Sequence, residues 1–150
     1  MNANDHELQI LLVEDNPADA ELTMDALREG HLINKVQWVK DGAEALDVLF
    51  GNGAASAAEC KRLKLVLLDL RLPRVDGLDV LRALRADERT RRLPVVVLTS
   101  SHEEIDLVRA YDLGANSYLV KPVESEEFMK AVGEMGLYWM LLNKLPGETK

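Results

Sequence analysis

Short runs of consecutive apolar residues recur along the chain, and the segments between them place apolar residues at helical spacing. An apolar run without polar alternation is typical of a strand buried on both faces, as in the interior of a parallel sheet. Five runs are therefore predicted as strands, at 8–13, 36–39, 64–68, 93–98 and 117–120. Right-handed crossovers through the intervening helices place all five strands parallel in one sheet covered on both faces. The pattern predicts a doubly wound α/β fold.

Polar residues at the ends of the apolar runs predict where the helices begin and end. Asn16 is placed to cap a first helix that stops at Gly30, and Asp41 is placed to cap a second. A third helix follows the strand at 64–68. Ser101 and Glu104 have the spacing of a capping box, which predicts the start of a fourth helix.

The last predicted helix runs from about Ser125 to Asn143 and ends unusually apolar. One stripe at alternating steps of four and three is suited to covering the sheet, and it consists of Phe128, Val132, Met135, Trp139 and Leu142. Other apolar side chains fill the remaining faces near the end, so a second buried surface is needed. We expect a homodimer with Tyr138, Trp139 and Leu142 in its interface. The alternative is that this end folds back on its own domain or frays.

Composition narrows the possible functions. The chain has 150 residues, 47% of them hydrophobic, which predicts a single domain over residues 1–150 with no output domain. A net charge of −8 disfavours nucleic acid and anionic membranes as partners. The absence of an apolar leader or of a long apolar run predicts a cytoplasmic protein that does not enter a membrane. The one cysteine, Cys60, excludes an internal disulfide.

Reactive side chains follow the ends of four different predicted strands: Glu14, Asp15, Asp69, Thr99 and Lys121. Parallel strands end at one edge of a sheet, so these side chains are expected to share a site. Three clustered carboxylates repel one another unless a hard divalent cation lies among them, and oxygen ligands favour Mg²⁺ over zinc. Asp69 is then placed to act as a nucleophile toward phosphorus, with Thr99 and Lys121 binding the phosphoryl oxygens. The predicted product is an aspartyl phosphate.

In their order along the chain, these motifs resemble those of response-regulator receiver domains of two-component signalling. The resemblance rests on the acid pair Glu14-Asp15, the segment Leu67-Leu-Asp69-Leu-Arg-Leu-Pro73 with Asp76-Gly77, the hydroxyl of Thr99, and Lys121-Pro122. It implies a flavodoxin-like sheet of strand order 2-1-3-4-5 with an extended C-terminal helix. It also implies a cis bond before Pro122 and a switch formed by Thr99 and Tyr118.

The resemblance further implies that Asp69 accepts a phosphoryl group from a sensor histidine kinase, in a signalling protein rather than an enzyme. The Mg²⁺ ligands would be Glu14, Asp15, Asp69 and the backbone carbonyl of Arg71. Residues 51–62 and the last helix are most similar to stand-alone regulators that partner bacterial phytochrome kinases. The family arrangement implies a two-fold homodimer through the fourth helix, fifth strand and fifth helix. Since Ser101 offers no carboxylate or amide to orient water, autodephosphorylation is expected to be slow.

Two other functions share part of this pattern. Haloacid-dehalogenase-like phosphatases also use a strand-end aspartate, a hydroxyl, a lysine and Mg²⁺. They carry a second aspartate as general acid where this chain has Arg71, and arginine cannot deliver that proton. A binding module that is never phosphorylated is the other alternative, and the complete set of site residues argues against it. Turnover of p-nitrophenyl phosphate tests the first alternative, and labelling by acetyl phosphate tests the second.

Overall fold

Strands and helices alternate along the chain in the computed structural model, which describes residues 9–30, 32, 36–51, 63–101, 103–122 and 126–139. The strands of this part of the chain are β1 (Ile10–Val13), β2 (Val36–Val39), β3 (Leu65–Leu68), β4 (Val95–Thr99) and β5 (Ser117–Val120). Its helices are α1 (Pro17–Glu29), α2 (Gly42–Phe50), α3 (Gly77–Ala86), α4 (Glu104–Asp112) and α5 (Glu126–Leu137).

All of these strands pair in parallel in one sheet of order β2-β1-β3-β4-β5. In the register, Ile10 of β1 lies beside Val36 of β2 on one side and Leu65 of β3 on the other. The chain thus winds outward from β1 in both directions, and the order reverses between β1 and β3. The predicted doubly wound, flavodoxin-like topology is confirmed.

The two faces of the sheet each carry a hydrophobic core. Alternate residues of β1 divide between them, because successive side chains of a strand point to opposite faces. Leu11 and Val13 pack with residues of α2, α3 and α4, while Ile10 and Leu12 pack with residues of α1 and α5. Every residue of β1, β3 and β4 is buried, as the unbroken apolar runs predicted.

Side-chain caps begin the first two helices where the sequence predicted them. Asn16 Oδ1 accepts hydrogen bonds from two amides in the first turn of α1, at 2.9 and 3.2 Å. Asp41 Oδ1 accepts one from the Glu44 amide at 2.8 Å. Each cap satisfies donors that the helix itself leaves unpaired.

The predicted capping box at the start of α4 is wrong. The helix begins at Glu104 with Glu103 as its N-cap residue, and no side chain accepts a cap hydrogen bond there. The Ser101 hydroxyl accepts a hydrogen bond from the Glu103 amide at 3.3 Å and donates one to Asp106 Oδ2 at 2.5 Å. Ser101 lies two residues before the N-cap residue, so its oxygen binds the amide of Glu103 rather than an amide in the first turn of the helix.

The apolar stripe predicted on the last helix is confirmed as far as the chain is described. Phe128 and Val132 are buried, and Met135 and Trp139 pack partly against the same core. Leu142, with the rest of the helix predicted to reach Asn143, lies outside the described residues, as does Cys60. Of the helices described, none combines the length and apolarity needed to cross a membrane.

The predicted cis bond before Pro122 is wrong, because every described peptide bond is trans. An X-Pro bond prefers trans by about 0.5–1 kcal/mol unless tertiary contacts require the other isomer. Here the trans bond already allows the Lys121 ammonium to reach three carboxylates, so the contacts made by this side chain do not require the cis form.

Candidate functional site

The functional side chains predicted from the strand ends do meet at the carboxyl edge of the sheet. Backbone pairing continues one residue beyond the strands and holds them there. The Asp69 amide donates to the Val13 carbonyl at 3.0 Å, and the Glu14 amide donates to the last carbonyl of β2 at 3.1 Å. The Lys121 amide donates to the Thr99 carbonyl at 2.8 Å. The sheet itself therefore positions the acids and the lysine.

Lys121 lies among three carboxylates. Its Nζ is 2.7 Å from Glu14 Oε1, 2.8 Å from Asp19 Oδ2 and 3.1 Å from Asp69 Oδ2. The lysine side chain is only 9% exposed, and Glu14 and Asp69 are buried. Asp19 was missed as a site residue, because an acid in the first turn of a helix is ordinarily explained by the helix dipole.

Burial and charge perturb the ionisation of this cluster. Burial, with a smaller contribution from the Asp69 charge, raises the pKa of Glu14 to about 7, although the hydrogen bond from Lys121 acts in the opposite direction. Burial lowers the pKa of Lys121, but its hydrogen bonds to Asp19 and Glu14 and the Asp69 charge outweigh burial and raise it overall. Lys121 is therefore a cation at neutral pH.

Glu14, Asp15 and Asp69 form a cluster that fits a divalent cation. One carboxylate oxygen from each lies within 4.8 Å of the others. Asp15 is exposed, whereas Glu14 and Asp69 are buried. These are hard oxygen ligands with an open side for water, the donor set that suits a hard divalent ion. Burial is the main cause of the raised pKa of Glu14, and a cation bound beside this carboxylate would stabilise its charged form.

Thr99 and Tyr118 both bind the backbone of Ser101. The buried Thr99 Oγ1 accepts a hydrogen bond from the Ser101 amide at 3.3 Å, and the Tyr118 hydroxyl donates to the Ser101 carbonyl at 2.9 Å. Tyr118 is half-buried, and burial raises its pKa. The two residues predicted as a switch are therefore joined through the loop between β4 and α4.

Arg71 lies two residues after Asp69, and its side chain forms an ion pair with a residue of α4. Its backbone amide donates to Asp69 Oδ1 at 3.1 Å, and its guanidinium donates to Asp106 Oδ2 at 2.7 Å. Asp106 was not predicted as a functional residue, since it stands in an ordinary helix turn 35 positions along the chain. Only the folded chain brings the two together.

The motif after Asp69 ends in Gly77, at a position that has no room for a side chain. A Cβ on Gly77 would lie 2.2 Å from the carbonyl oxygen of Asp69, a distance that no side chain tolerates. The Gly77 amide instead donates to the Leu70 carbonyl at 2.9 Å. Helix α3 can therefore start directly behind the residue that carries the reactive carboxylate.

The fold and site together define a class of protein. The features of a receiver domain are a buried aspartate directly after the central strand β3, an acid pair after β1, a threonine at the end of β4 and a lysine after β5. The chain belongs to this family, because residues 10–133 match the response regulator receiver domain. Receiver domains bind a divalent metal and act with sensor histidine kinases.

Sequence comparison identifies a relative of similar length. The chain is 45% identical over 139 residues to the "Probable methanogenesis regulatory protein FilR2" of Methanothrix harundinacea (strain 6Ac). The match covers 92% of this chain and 87% of that protein. Similarity therefore extends over nearly the whole chain.

Solved structures of phytochrome response regulators share the fold. The phosphorylated cyanobacterial phytochrome response regulator RcpA is 37% identical with a TM-score of 0.82, covering 94% of this chain and 99% of that one. The Mn²⁺-bound form of response regulator Rcp1 is 35% identical with a TM-score of 0.80, covering 93% and 99%. The bacteriophytochrome response regulator AtBRR is 51% identical with a TM-score of 0.69, covering 92% and 99%.

Proposed function

We propose that Asp69 of this receiver accepts a phosphoryl group from a sensor histidine kinase in an Mg²⁺-dependent reaction. The observation that carries the proposal is the position of the Asp69 carboxylate. It is buried at the end of the central strand, 3.1 Å from the Lys121 ammonium and within the acidic cluster. A nucleophile toward phosphorus needs this combination of a fixed carboxylate and nearby positive charge.

The transfer forms a bond between a carboxylate oxygen of Asp69 and phosphorus. The bond from phosphorus to the donor's imidazole nitrogen breaks, and its electron pair remains on that nitrogen. The Arg71 amide holds Asp69 Oδ1, so the two carboxylate oxygens are not equivalent. The Lys121 ammonium and the Thr99 hydroxyl are positioned to donate to the phosphoryl oxygens as charge develops on them.

Glu14, Asp15, Asp69 and the Arg71 backbone carbonyl would hold the Mg²⁺ ion. When bound, the ion would neutralise the carboxylates and polarise the phosphoryl group. Glu14 is already occupied, because its Oε1 binds Lys121 and its Oε2 accepts the Asn16 amide at 3.1 Å. Asp15 therefore contributes more of the metal affinity than Glu14. The Mn²⁺ in the Rcp1 structure supports a divalent ion in this family.

The partner kinase is proposed to be a bacterial phytochrome. The support is the likeness over nearly the whole chain to regulators described as phytochrome or bacteriophytochrome response regulators. A receiver recognises its kinase through a surface around the phosphoacceptor, so relatives with similar surfaces are expected to use similar kinases. Phosphotransfer from a purified phytochrome kinase, compared with an unrelated histidine kinase at equal concentration, tests this pairing.

Phosphorylation of Asp69 is proposed to draw Thr99 toward the phosphoryl group and to release Tyr118. The Ser101 backbone joins both residues, so movement of Thr99 is transmitted to the tyrosine hydroxyl. The surface of α4, β5 and α5 then changes. Hydrogen-exchange changes that appear on phosphorylation near Tyr118 support this route, whereas changes confined to the chain before β3 oppose it.

The same surface is proposed to form a two-fold homodimer. Large apolar side chains stand there 38 to 52% exposed, namely Ile105, Val108, Tyr111, Val120 and Tyr138. Such a patch is costly in water and suits a self-complementary contact. Trp139 packs partly against its own core, with the Tyr138 ring edge-on at 4.9 Å, so Tyr138 is the better anchor. Leu142 is retained as a proposed interface residue outside the described chain.

Sedimentation tests the dimer. Wild type at micromolar concentration should sediment as a dimer, and the double variant Tyr111→Ala with Tyr138→Ala should shift toward monomer while circular dichroism stays unchanged. The control is Lys130→Ala, an exposed residue on α5 that is not in the apolar patch. A monomeric wild type, or a folded double variant that dimerises as tightly, contradicts the proposed interface.

Labelling by acetyl phosphate tests the phosphoacceptor. Wild type should accumulate label with Mg²⁺, and Asp69→Asn should not, because the amide has nearly the same shape but is not a nucleophile. Asp87→Asn makes the same change at an exposed pair after α3 and should label like wild type. If Asp69→Asn is labelled at the wild-type rate, another residue is the acceptor.

A further inference from the structure

Two donors from different segments converge on one oxygen of Asp106. The Arg71 guanidinium lies 2.7 Å from Asp106 Oδ2, and the Ser101 hydroxyl lies 2.5 Å from the same atom. The Asp106 side chain is 11% exposed, whereas that of Arg71 is 62% exposed. The carboxylate is therefore held in place in the first turn of α4, while the arginine lies over it on the solvent side.

The contact between Arg71 and Asp106 joins the loop after β3, which carries Asp69, to the predicted switch residues Thr99 and Tyr118. At one end, the Arg71 amide donates to Asp69 Oδ1 at 3.1 Å. At the other, the Ser101 amide donates to Thr99 and its carbonyl accepts the Tyr118 hydroxyl. A continuous set of hydrogen bonds runs from Asp69 through Arg71, Asp106 and Ser101.

Arg71 is the most exposed member of this set. Its exposed guanidinium holds one anionic partner in this structure, and an exposed ion pair contributes little to stability. A phosphoryl group on Asp69 adds a charge of about −1.5 to −2 and three strong acceptor oxygens two residues away. Guanidinium binds phosphate at least as well as carboxylate. The phosphoryl group and Asp106 therefore compete for the same cation.

We infer that Asp106 is a positioning residue that holds Arg71 on α4 until phosphorylation of Asp69 draws the guanidinium away. This inference rests on the proposed phosphorylation of Asp69. In the phosphorylated state Arg71 covers the phosphoryl group and hinders attacking water. Asp106 keeps the Ser101 hydroxyl but loses its cation, so the first turn of α4 is less firmly tied to the loop after β3.

The competition predicts how Asp106 affects the lifetime of the aspartyl phosphate. In wild type, Arg71 must give up its contact with Asp106 to cover the phosphoryl group, and this cost reduces the fraction of molecules in which the group is covered. Without that contact, Arg71 is free to cover it at no such cost. Asp106→Asn should therefore slow dephosphorylation, and it should act only when Arg71 is present.

A double-mutant cycle tests this dependence. Dephosphorylation half-lives are measured with Mg²⁺ for wild type, Asp106→Asn, Arg71→Met and the double variant, each labelled by acetyl phosphate. Asp106→Asn should lengthen the half-life by about threefold or more, as expected for contacting residues that are coupled. In the Arg71→Met background the same change should leave the half-life unaltered. Asp106→Glu keeps the anion and should retain a half-life close to that of wild type.

A control variant distinguishes loss of the contact with Arg71 from loss of a negative charge. Asp79→Asn removes an acid from an exposed ion pair with Arg82 on α3 and should leave the half-life unchanged. If Asp106→Asn lengthens the half-life equally with and without Arg71, a charge effect explains it and the inference is overturned. An unchanged or shortened half-life also overturns it. Wild type that never becomes labelled overturns the proposed function itself, which is a different result.

Hydrogen exchange gives a second readout that does not depend on dephosphorylation. Without phosphate, amides in the first turn of α4 should exchange faster in Asp106→Asn than in wild type. Phosphorylation of wild type should speed exchange at the same amides, and it should add little in Asp106→Asn. First-turn amides that become more protected when wild type is phosphorylated contradict the release of Arg71.

Discussion

Two cations flank Asp69, and their surroundings differ. Lys121 is 9% exposed and lies among three carboxylates, whereas Arg71 is 62% exposed and binds one. Removing one partner of a buried ion pair typically costs about 3–5 kcal/mol, while an exposed pair contributes about 0–1 kcal/mol. If Asp69 is the phosphoacceptor, this difference makes Lys121 a fixed part of the phosphoryl site and leaves Arg71 able to change partners.

The largest effect is expected from substitution of Lys121, the buried cation. Lys121→Met should slow labelling by acetyl phosphate about 100-fold or more, the cost of losing one fixed donor to a developing anion. The exposed Lys130→Met on α5 is the matched control and should label like wild type. Circular dichroism verifies folding. A Lys121→Met protein labelled within tenfold of wild type, roughly the effect of a lesser contact, would remove Lys121 from the mechanism.

A third cation, Arg85, is partly buried and binds carbonyl and amide oxygens instead of carboxylates. Arg85 donates to the Gly114 carbonyl at 2.7 Å, the Leu93 carbonyl at 2.7 Å and Asn116 Oδ1 at 3.2 Å, and burial lowers its pKa. Arg85→Met should lower the free energy of unfolding by about 2–3 kcal/mol, because it strands several acceptors. Urea unfolding measures this.

The matched control for Arg85 is on the same helix. Arg82→Met removes an arginine that is 62% exposed and should change the free energy of unfolding by less than about 0.5 kcal/mol. Equal destabilisation by the two variants would show that helix propensity, rather than the buried acceptors, controls the effect.

Stabilisation by added Mg²⁺ tests whether Asp15 is a metal ligand. Mg²⁺ at about 100 times its dissociation constant should stabilise the folded protein by about 2.7 kcal/mol. Asp15→Asn should weaken binding at least tenfold, removing about 1.4 kcal/mol of that gain at saturating wild-type conditions. Thermal unfolding with and without Mg²⁺ measures the difference. Asp47→Asn, on α2, should keep the full gain, and equal gains in Asp15→Asn and wild type would exclude Asp15 as a ligand.

The smallest effect concerns an exposed pair away from the site. Side-chain and backbone hydrogen bonds from Arg89 lower the pKa of Asp87. A depressed folded-state pKa contributes stability above the unfolded pKa, and this contribution is lost as pH falls through the folded value. Arg89→Gln should raise the pKa of Asp87 toward its ordinary value, measured by carboxyl NMR titration. No change would assign the shift to the backbone bond alone.

Local patterns predicted most of the fold. Unbroken apolar runs identify β1, β3 and β4 because both faces of the sheet are covered, and the Asn16 and Asp41 caps depend on neighbours within three residues. Ser101 was misassigned as a cap, because the helix begins at Glu104 with Glu103 as its N-cap residue, which leaves the Ser101 oxygen bound to the Glu103 amide.

The site residues at strand ends were predicted from the sequence, whereas those on the helices were missed. Asp69, Thr99 and Lys121 follow strands, so topology alone brings them together. Asp19 meets Lys121 across 102 positions of sequence, and Asp106 meets Arg71 across 35. An acid on a helix surface carries no local sign of such a partner. These contacts depend on how α1 and α4 pack against the sheet.

Localising the phosphoryl group on the protein tests whether Asp69 is the phosphoacceptor. Wild-type protein is incubated with acetyl phosphate and Mg²⁺, the acyl phosphate is reduced with borohydride, and peptides are sequenced by mass spectrometry. Borohydride converts a phosphorylated aspartate side chain to an alcohol, so the modified position records the acceptor. The account predicts reduction at Asp69 and none at Asp15, Asp19 or Asp106. Reduction at one of those residues, with Asp69 unmodified, would contradict it.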